Sequence, residues 1–380
     1  MSVVLRGSTS GSITLQEPAV AGTNTVNFGA NTGVAILDAN TPAFRNRIIN
    51  GDMRIDQRNA GASVTPADGN YLLDRYVAGM TQSAKYSVQQ VTDAPTGFVF
   101  SLKVTSLSSY SVGAGDTFLV SQLIEGFNTA DFAFGTASAT TVTISFWVKS
   151  TLTGSFGGTL ENSAQNRSYP FGYTINSAST WEYKTVTISG DTTGTWVGAT
   201  NGIGLRVRFG LGSGTNFTAT ANAWTGSDKV QPTSTVSVVG TNAATWQVTG
   251  VQLEKGSTAT SFDYRPYGTE LALCQRYYYR SVATDSYTIF GTGFVTSSTA
   301  TQIYSALPVT MRASPTLNFS TCRLGDGSYP TVTSVGTFRG GLNSWGSEVV
   351  ASGGGLTTGR GCIIGASNST SAYIDASAEL

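Results

Sequence analysis

The chain has 380 residues, in which 22 Lys+Arg balance 22 Asp+Glu and histidine is absent. Neutrality at a charged fraction of 12% argues against nucleic acid or membrane insertion, and no apolar run reaches membrane-spanning length. The missing imidazole removes Ser-His-Asp and Cys-His catalysis and His-ligated zinc.

Residues 1–43 are read as an N-terminal docking segment. Its short alternating runs keep an apolar stripe at Ile13, Leu15, Val26, Phe28, Val34 and Ile36. They are too sparse to close a core alone, so they are expected to pack on copies of themselves or on a larger assembly. The start, MSVVLRGSTSG, lacks a hydrophobic core of signal-peptide length, so cytoplasmic synthesis is expected. Cys274, Cys322 and Cys362 are widely spaced and are expected as buried small side chains, not a disulfide framework.

Between Phe44 and Arg58, arginines at 45, 47, 54 and 58 interleave with Asp52 and Asp56. Ile48, Ile49, Met53 and Ile55 around Asn50-Gly51 predict a hairpin, pinned by Arg–Asp pairs. From Tyr71 to Asp263, alternating runs recur at Tyr76–Ala78, Lys85–Gln89, Phe98–Val104, Thr117–Ile124, Val142–Val148, Tyr169–Ile175, Trp181–Ile188, Gly204–Leu211 and Ala244–Leu253. Gly, Ser, Thr and Asn fill the gaps. This is the pattern of an all-β, antiparallel β-sandwich, and the number of runs favours a jelly roll over residues 44–266.

Gly250 predicts a bulge in the closing strand. A short helical connector follows over 267–280, with Thr269 as cap, Glu270 in the first turn and Arg276 and Arg280 at the far end. Residues 281–380 form a smaller, distal C-terminal β domain. Its candidate strands are Tyr287–Phe290, Thr301–Leu307, Thr316–Ser320, Val332–Phe338, Glu348–Ala351, Cys362–Ile364 and Ala372–Ala376.

Asn46-Arg47-Ile48-Ile49-Asn50-Gly51-Asp52, Val251-Gln252-Leu253-Glu254-Lys255-Gly256 and Cys274-Gln275-Arg276-Tyr277-Tyr278 together bracket the sandwich. In combination they resemble a recurrent domain of phage and prophage tail-fibre proteins. Gly7–Gly11 and Leu307-Pro308-Val309-Thr310-Met311-Arg312 resemble other segments of such fibres. The resemblance implies a jelly roll similar to carbohydrate-binding modules, homotrimeric assembly, attachment to other phage tail or virion proteins through residues 1–43, and host contact through the distal domain.

Cleavage of a glycan would need two paired carboxylates. Asp116, Glu125, Asp131, Glu161, Glu182, Asp191, Glu254 and Asp263 are scattered, with no close pair in sequence. No catalytic residue, metal site or cofactor is therefore expected. Sugar binding instead uses aromatic platforms and planar polar groups. Trp147, Trp181 and Trp246 fall in strand patterns and are read as core. Trp196, Trp224 and Trp345 lie in loop-like stretches and, with Tyr329, are the candidate glycan contacts, the alternative being that they plug a trimer interface. Tyr277, Tyr278 and Tyr279 are assigned to inter-domain or trimer packing on the short helix. The expected function is a virion tail fibre that attaches to a host surface glycan through weak, multivalent contacts. A structural head-fibre or decoration protein is the alternative, and a polysaccharide-cleaving tailspike a third.

Overall fold

The first paired element is a short hairpin, β1 (Val3–Arg6) against β2 (Ser12–Leu15), with Val3 opposite Leu15. It belongs to a unit, Met1–Ala43, separate from the unit Phe44–Leu380. The computed structural model describes residues 3–6 and 12–15 of the first, and 45–338 and 340–380 of the second. The stripe at Val26, Phe28, Val34 and Ile36 lies outside the described residues, as does most of the docking segment.

The alternating runs of the second unit build two five-stranded antiparallel sheets. One has the order β10 (Glu182–Ile188), β7 (Val142–Ser150), β14 (Thr245–Lys255), β5 (Ser101–Ser106), β4 (Tyr86–Val91). The other runs β3 (Tyr76–Met80), β6 (Thr117–Glu125), β11 (Ile203–Ser213), β8 (Gly154–Glu161), β9 (Ser168–Ile175). A two-residue parallel pair, β12 (Thr218–Ala219) and β13 (Gln231–Pro232), forms apart from both sheets. The chain changes sheet at each main connection except the β4–β5 and β8–β9 hairpins, which is the jelly-roll crossing pattern. Between the sheets Phe118, Phe146, Phe156, Phe171, Phe209 and Trp246 are buried. Each contributes about 1.5–3 kcal/mol of apolar transfer. The Trp246 indole N–H donates to the Tyr173 hydroxyl at 3.0 Å, so the largest ring carries no orphaned polar group into the core.

Strand β8 does not register in the sequence because of its glycines. A Cβ at Gly158 would stand 2.3 Å from the Arg208 carbonyl oxygen, and one at Gly157 2.3 Å from Pro232 Cδ. Close approach, not strand propensity, selects these residues. Gly250 does form the expected bulge, at φ 62 between the pairs Thr249–Trp147 and Gln252–Ser145.

The expected hairpin at Asn50-Gly51 is corrected. The segment turns there, but its flanks bond to side chains and to the backbone of β14, not to each other. Asn46 donates to the Val251 carbonyl at 3.0 Å and accepts from the Ile48 and Leu253 amides. Asn50 accepts from the Ile55 amide and donates to the Ile55 carbonyl, while Gln122 brackets both backbone groups of Ile49. Of the Arg–Asp pairs expected within the segment, Arg54–Asp52 forms at 3.0 Å. Arg47 reaches Asp131, and Arg58 reaches Glu379.

Helix α1 (Tyr267–Gln275) starts at Pro266, whose carbonyl takes the Thr269 and Glu270 amides. Thr269 is thus inside the first turn and does not cap it. Glu270 accepts from the Asn50 amide and pairs with Arg265, and Arg276 leaves the helix end for Glu125 at 2.6 Å. The helical connector stops short of the tyrosines: Tyr278–Val282 is strand β15. It edges a three-stranded sheet with β23 (Tyr373–Ser377) and β18 (Thr316–Ser320). A six-stranded antiparallel sheet completes the chain, in the order β19 (Cys322–Gly325), β22 (Gly361–Ala366), β16 (Ile289–Ser297), β17 (Ala300–Ala306), β21 (Ser344–Ala351), β20 (Val332–Phe338). Val295, Ile303, Leu324, Trp345, Val349 and Ile364 form its core. All three cysteines are buried and free.

A buried polar knot joins the sandwich to these sheets. Glu379 receives both Arg75 and Arg58, the latter at 3.0 Å. Arg75 also donates to the Leu123 carbonyl and lies 3.5 Å from the centre of the Tyr277 ring. Arg58 sits 3.5 Å from the centre of the Tyr278 ring.

Candidate functional site

On β7 the alternation places Val142, Ile144, Phe146 and Val148 in the core. Thr143, Ser145, Trp147 and Lys149 therefore point to the other face. Trp147 stands opposite Tyr183 of β10 and Thr249 of β14, and the Trp147 and Tyr183 rings lie 5.4 Å apart at 48°. The bulge at Gly250 forms the floor, where a Cβ would meet Phe98 at 2.7 Å and Trp147 at 3.2 Å. Phe98, Phe262 and Tyr264 close the opposite wall with ring separations of 4.8 to 5.5 Å. The Tyr264 hydroxyl donates to the Gly97 carbonyl at 2.8 Å, which fixes that wall.

The result is an open cleft of about 420 Å³, lined also by Ser145, Thr260 and Ser261. Tyr183 is 43% and Tyr264 53% exposed. Beside it, Asp93 accepts from Lys149, from the Trp181 indole N–H at 3.3 Å and from Gln247 at 3.3 Å. Burial pushes the Asp93 carboxyl up, but these bonds, that from Lys149 first, outweigh it and hold the group below the usual carboxylate range. The rim is therefore ionised, ordered and polar, and the floor aromatic. That combination suits a ligand with alternating C–H faces and hydroxyl edges.

The candidate rings read from sequence distribute differently. Trp345 is corrected outright: it is 4% exposed. Strand β21 begins at Ser344, which sets Trp345 in phase with Val349 and Ala351 on the core side. Trp196 and Trp224 are half-buried, stacked edge-on with each other at 5.5 Å and with Phe134 at 4.9 and 5.8 Å. Their indole N–H groups are spent on Asp191 at 3.2 Å and the Ser189 carbonyl at 2.8 Å, so they are internal packing, not open platforms. Tyr329 is 58% exposed.

Tyr277 and Tyr278 are buried within one chain, with hydroxyls on Glu125 at 2.6 Å and Asp375 at 2.9 Å, and Tyr279 packs on the C-terminal core. The tyrosines read as helical thus tie the sandwich to the C-terminal sheets. Trp147 and Trp181, read as core, are corrected to half-buried positions in or beside the cleft. Trp246 alone of the three is in the core.

No family model matches the chain, and no curated protein does. Among solved structures it is similar to the enzymatically active domain of tailspike protein 4 of bacteriophage CBA120, at 12% identity and a TM-score of 0.31. That likeness covers 57% of this chain and 22% of the other. It is also similar to a xylan-binding domain from Paenibacillus barcinonensis, at 12% identity and a TM-score of 0.25, over 53% of this chain and 99% of that one. A family 11 carbohydrate-binding module of a Clostridium thermocellum cellulase gives 12% identity and a TM-score of 0.26 over the same two shares, 53% and 99%. These likenesses are distant, and the β-sandwich assignment rests on the sheets themselves.

The fold also brings together carboxylates that the sequence keeps apart. Glu161 on β8 and Asp228 meet on Arg208, at 2.8 and 2.9 Å. The Glu161 oxygens are wholly buried, while the Asp228 side chain is part-exposed. Burial pushes the Glu161 carboxyl up to about 8, against Arg208 and helped by Asp228. The native state keeps a proton that the unfolded chain releases above its ordinary 4.5, so stability falls as pH rises through this window. Glu161→Gln is expected to flatten the decline in melting temperature between about pH 6 and 8. The decline below that range persists, because burial also raises Asp74 to about 6. Equal slopes for wild type and variant above pH 6 would contradict this.

Proposed function

We propose that this protein is a non-catalytic, glycan-binding component of a virion fibre, which attaches particles to host cells through several weak sites. The cleft carries the glycan reading: half-exposed Trp147, Tyr183 and Tyr264 beside a fixed polar rim, on the open face of a β-sandwich. The lining residues include no carboxylate, and the one beside the cleft, Asp93, is bonded to Lys149, Trp181 and Gln247, which supports binding without cleavage. The virion reading is supported by the resemblance of the Asn46–Asp52, Val251–Gly256 and Cys274–Tyr278 motifs to tail-fibre proteins. Homotrimeric assembly would place three such clefts on one fibre and raise effective affinity through avidity.

The test is a glycan array on the full chain, followed by calorimetric titration of any hit with wild type, Trp147→Ala and Tyr183→Ala. Each substitution is expected to weaken binding about tenfold or more, on the order of one lost ring contact. Melting temperatures should stay near wild type, because both rings lie outside the core. Absence of binding to any glycan or host cell, or unchanged affinity in both variants, overturns the reading. That outcome would favour the structural alternative, a head-fibre or decoration protein.

A further inference from the structure

On β19, Cys322 and Leu324 point into the C-terminal core and Arg323 points out. Its guanidinium lies between two tyrosine rings, 4.5 Å from the centre of Tyr287 and 4.3 Å from that of Tyr329. Both rings are open to solvent, at 53% and 58%. Each is held in place. The Tyr329 ring rests against Gly325, where a Cβ would stand 3.0 Å from it, and the Tyr287 hydroxyl donates to Asn368 at 3.3 Å. On one side Arg323 pairs in register with Gly365 of β22, which has no side chain to cover it, and on the other it bridges Thr331.

Between Arg45 and Arg360, every other arginine with a described side chain has a carboxylate, carbonyl or hydroxyl acceptor; even the exposed Arg360 reaches the Asp326 carbonyl. Among the described residues, Arg323 has aromatic contacts alone. The nearby acids are occupied: Asp326 accepts from the Ser328 and Thr357 amides, and Asp285 from the Tyr287 amide. A guanidinium clamped by π-faces keeps its N–H edge free and pre-ordered, which is the geometry for bidentate capture of a carboxylate. The exposed face continues past it with Ile289, Phe294 and Tyr304, and the Tyr304 ring lies 2.5 Å from where a Gly346 Cβ would be, flat against the sheet. Flat rings beside a carboxylate-binding edge suit a sugar ring that carries an acid better than an extended peptide, which would need an open strand edge.

We propose that Arg323, with Tyr287 and Tyr329, is a second binding site, selective for a carboxylate-bearing sugar of an acidic glycan. It rests on the glycan reading above but not on the Trp147 cleft.

The test titrates the full chain with oligogalacturonate, its methyl ester, a sialylated oligosaccharide and a poly-glutamate peptide. Arg323→Ala is expected to lose about tenfold or more in affinity for at least one acidic sugar, and Arg323→Lys to recover it only in part. The ester should bind as weakly as the acid does to Arg323→Ala. Trp147→Ala should leave this binding unchanged. If neither acidic sugar shows Arg323-dependent binding, or if poly-glutamate is captured equally, the proposal fails. Neutral glycans that still depend on Trp147 would then leave the cleft reading standing. Arg323-dependent acid binding with no neutral binding would do the reverse.

Discussion

Glu379→Ala is expected to destabilise the protein by about 3–5 kcal/mol, the cost of stranding a buried charge. Two guanidiniums converge on this carboxylate, and Arg75 is almost wholly enclosed. Burial disfavours the Arg75 cation, but the Glu379 carboxylate outweighs it and holds the group charged. Removing Glu379 leaves Arg75 with the Leu123 carbonyl and an aromatic face, and no carboxylate among its described partners. The backbone of the same segment is gripped as well, since Arg312 donates to the Ala378 and Glu379 carbonyls and Tyr71 to that of Leu380. Glu379→Gln keeps the shape and loses the charge, and should fall between wild type and alanine. Urea unfolding, followed by tryptophan fluorescence and far-ultraviolet circular dichroism, measures this directly. A loss below about 1 kcal/mol would show that the knot is a surface-grade ion pair.

Gly51→Ala is expected to cost about 3 kcal/mol or more, through a clash that neither side can relieve cheaply. A Cβ there would stand 2.2 Å from the Val251 carbonyl oxygen. That oxygen already accepts from Asn46, and the Val251 amide donates to the Gly51 carbonyl. Movement of the turn or of β14 therefore breaks the Asn46 and backbone bonds that replace a hairpin in this segment. Gly268→Ala, in α1 with open space around it, is the control. It should be neutral or stabilise by up to about 1 kcal/mol. Comparable losses at both positions would point to a general intolerance of glycine replacement, not to this contact.

These two sites show why the fold was legible and much of its bonding was not. Alternation marks the sandwich strands because each has one wet face, and it also marks Trp147. In Thr143, Ser145, Trp147, Lys149 the ring falls on the polar phase, opposite Ile144, Phe146 and Val148. Phase, more than membership of a strand, separates a cleft ring from a core ring. Trp345 fails for the converse reason: its flanking glycines suggest a loop, yet Gly346 is present because the Tyr304 ring needs the space. The tyrosines at 277–279 follow a helical stretch with no break residue. What ends the helix is tertiary, the pairing of Tyr278–Val282 with β23. No local pattern links Glu379 with Arg75, 304 residues away, or Glu161 with Asp228.

The position of Glu379 also bears on how the molecule is made. All ten strands of the two sandwich sheets have been synthesised by Lys255, well before the carboxylate that Arg75 needs. The nascent sandwich can collapse around its phenylalanines, but its Arg75 corner stays hydrated until translation passes residue 379. A product of premature termination or proteolytic clipping upstream of that point carries a cation it cannot bury.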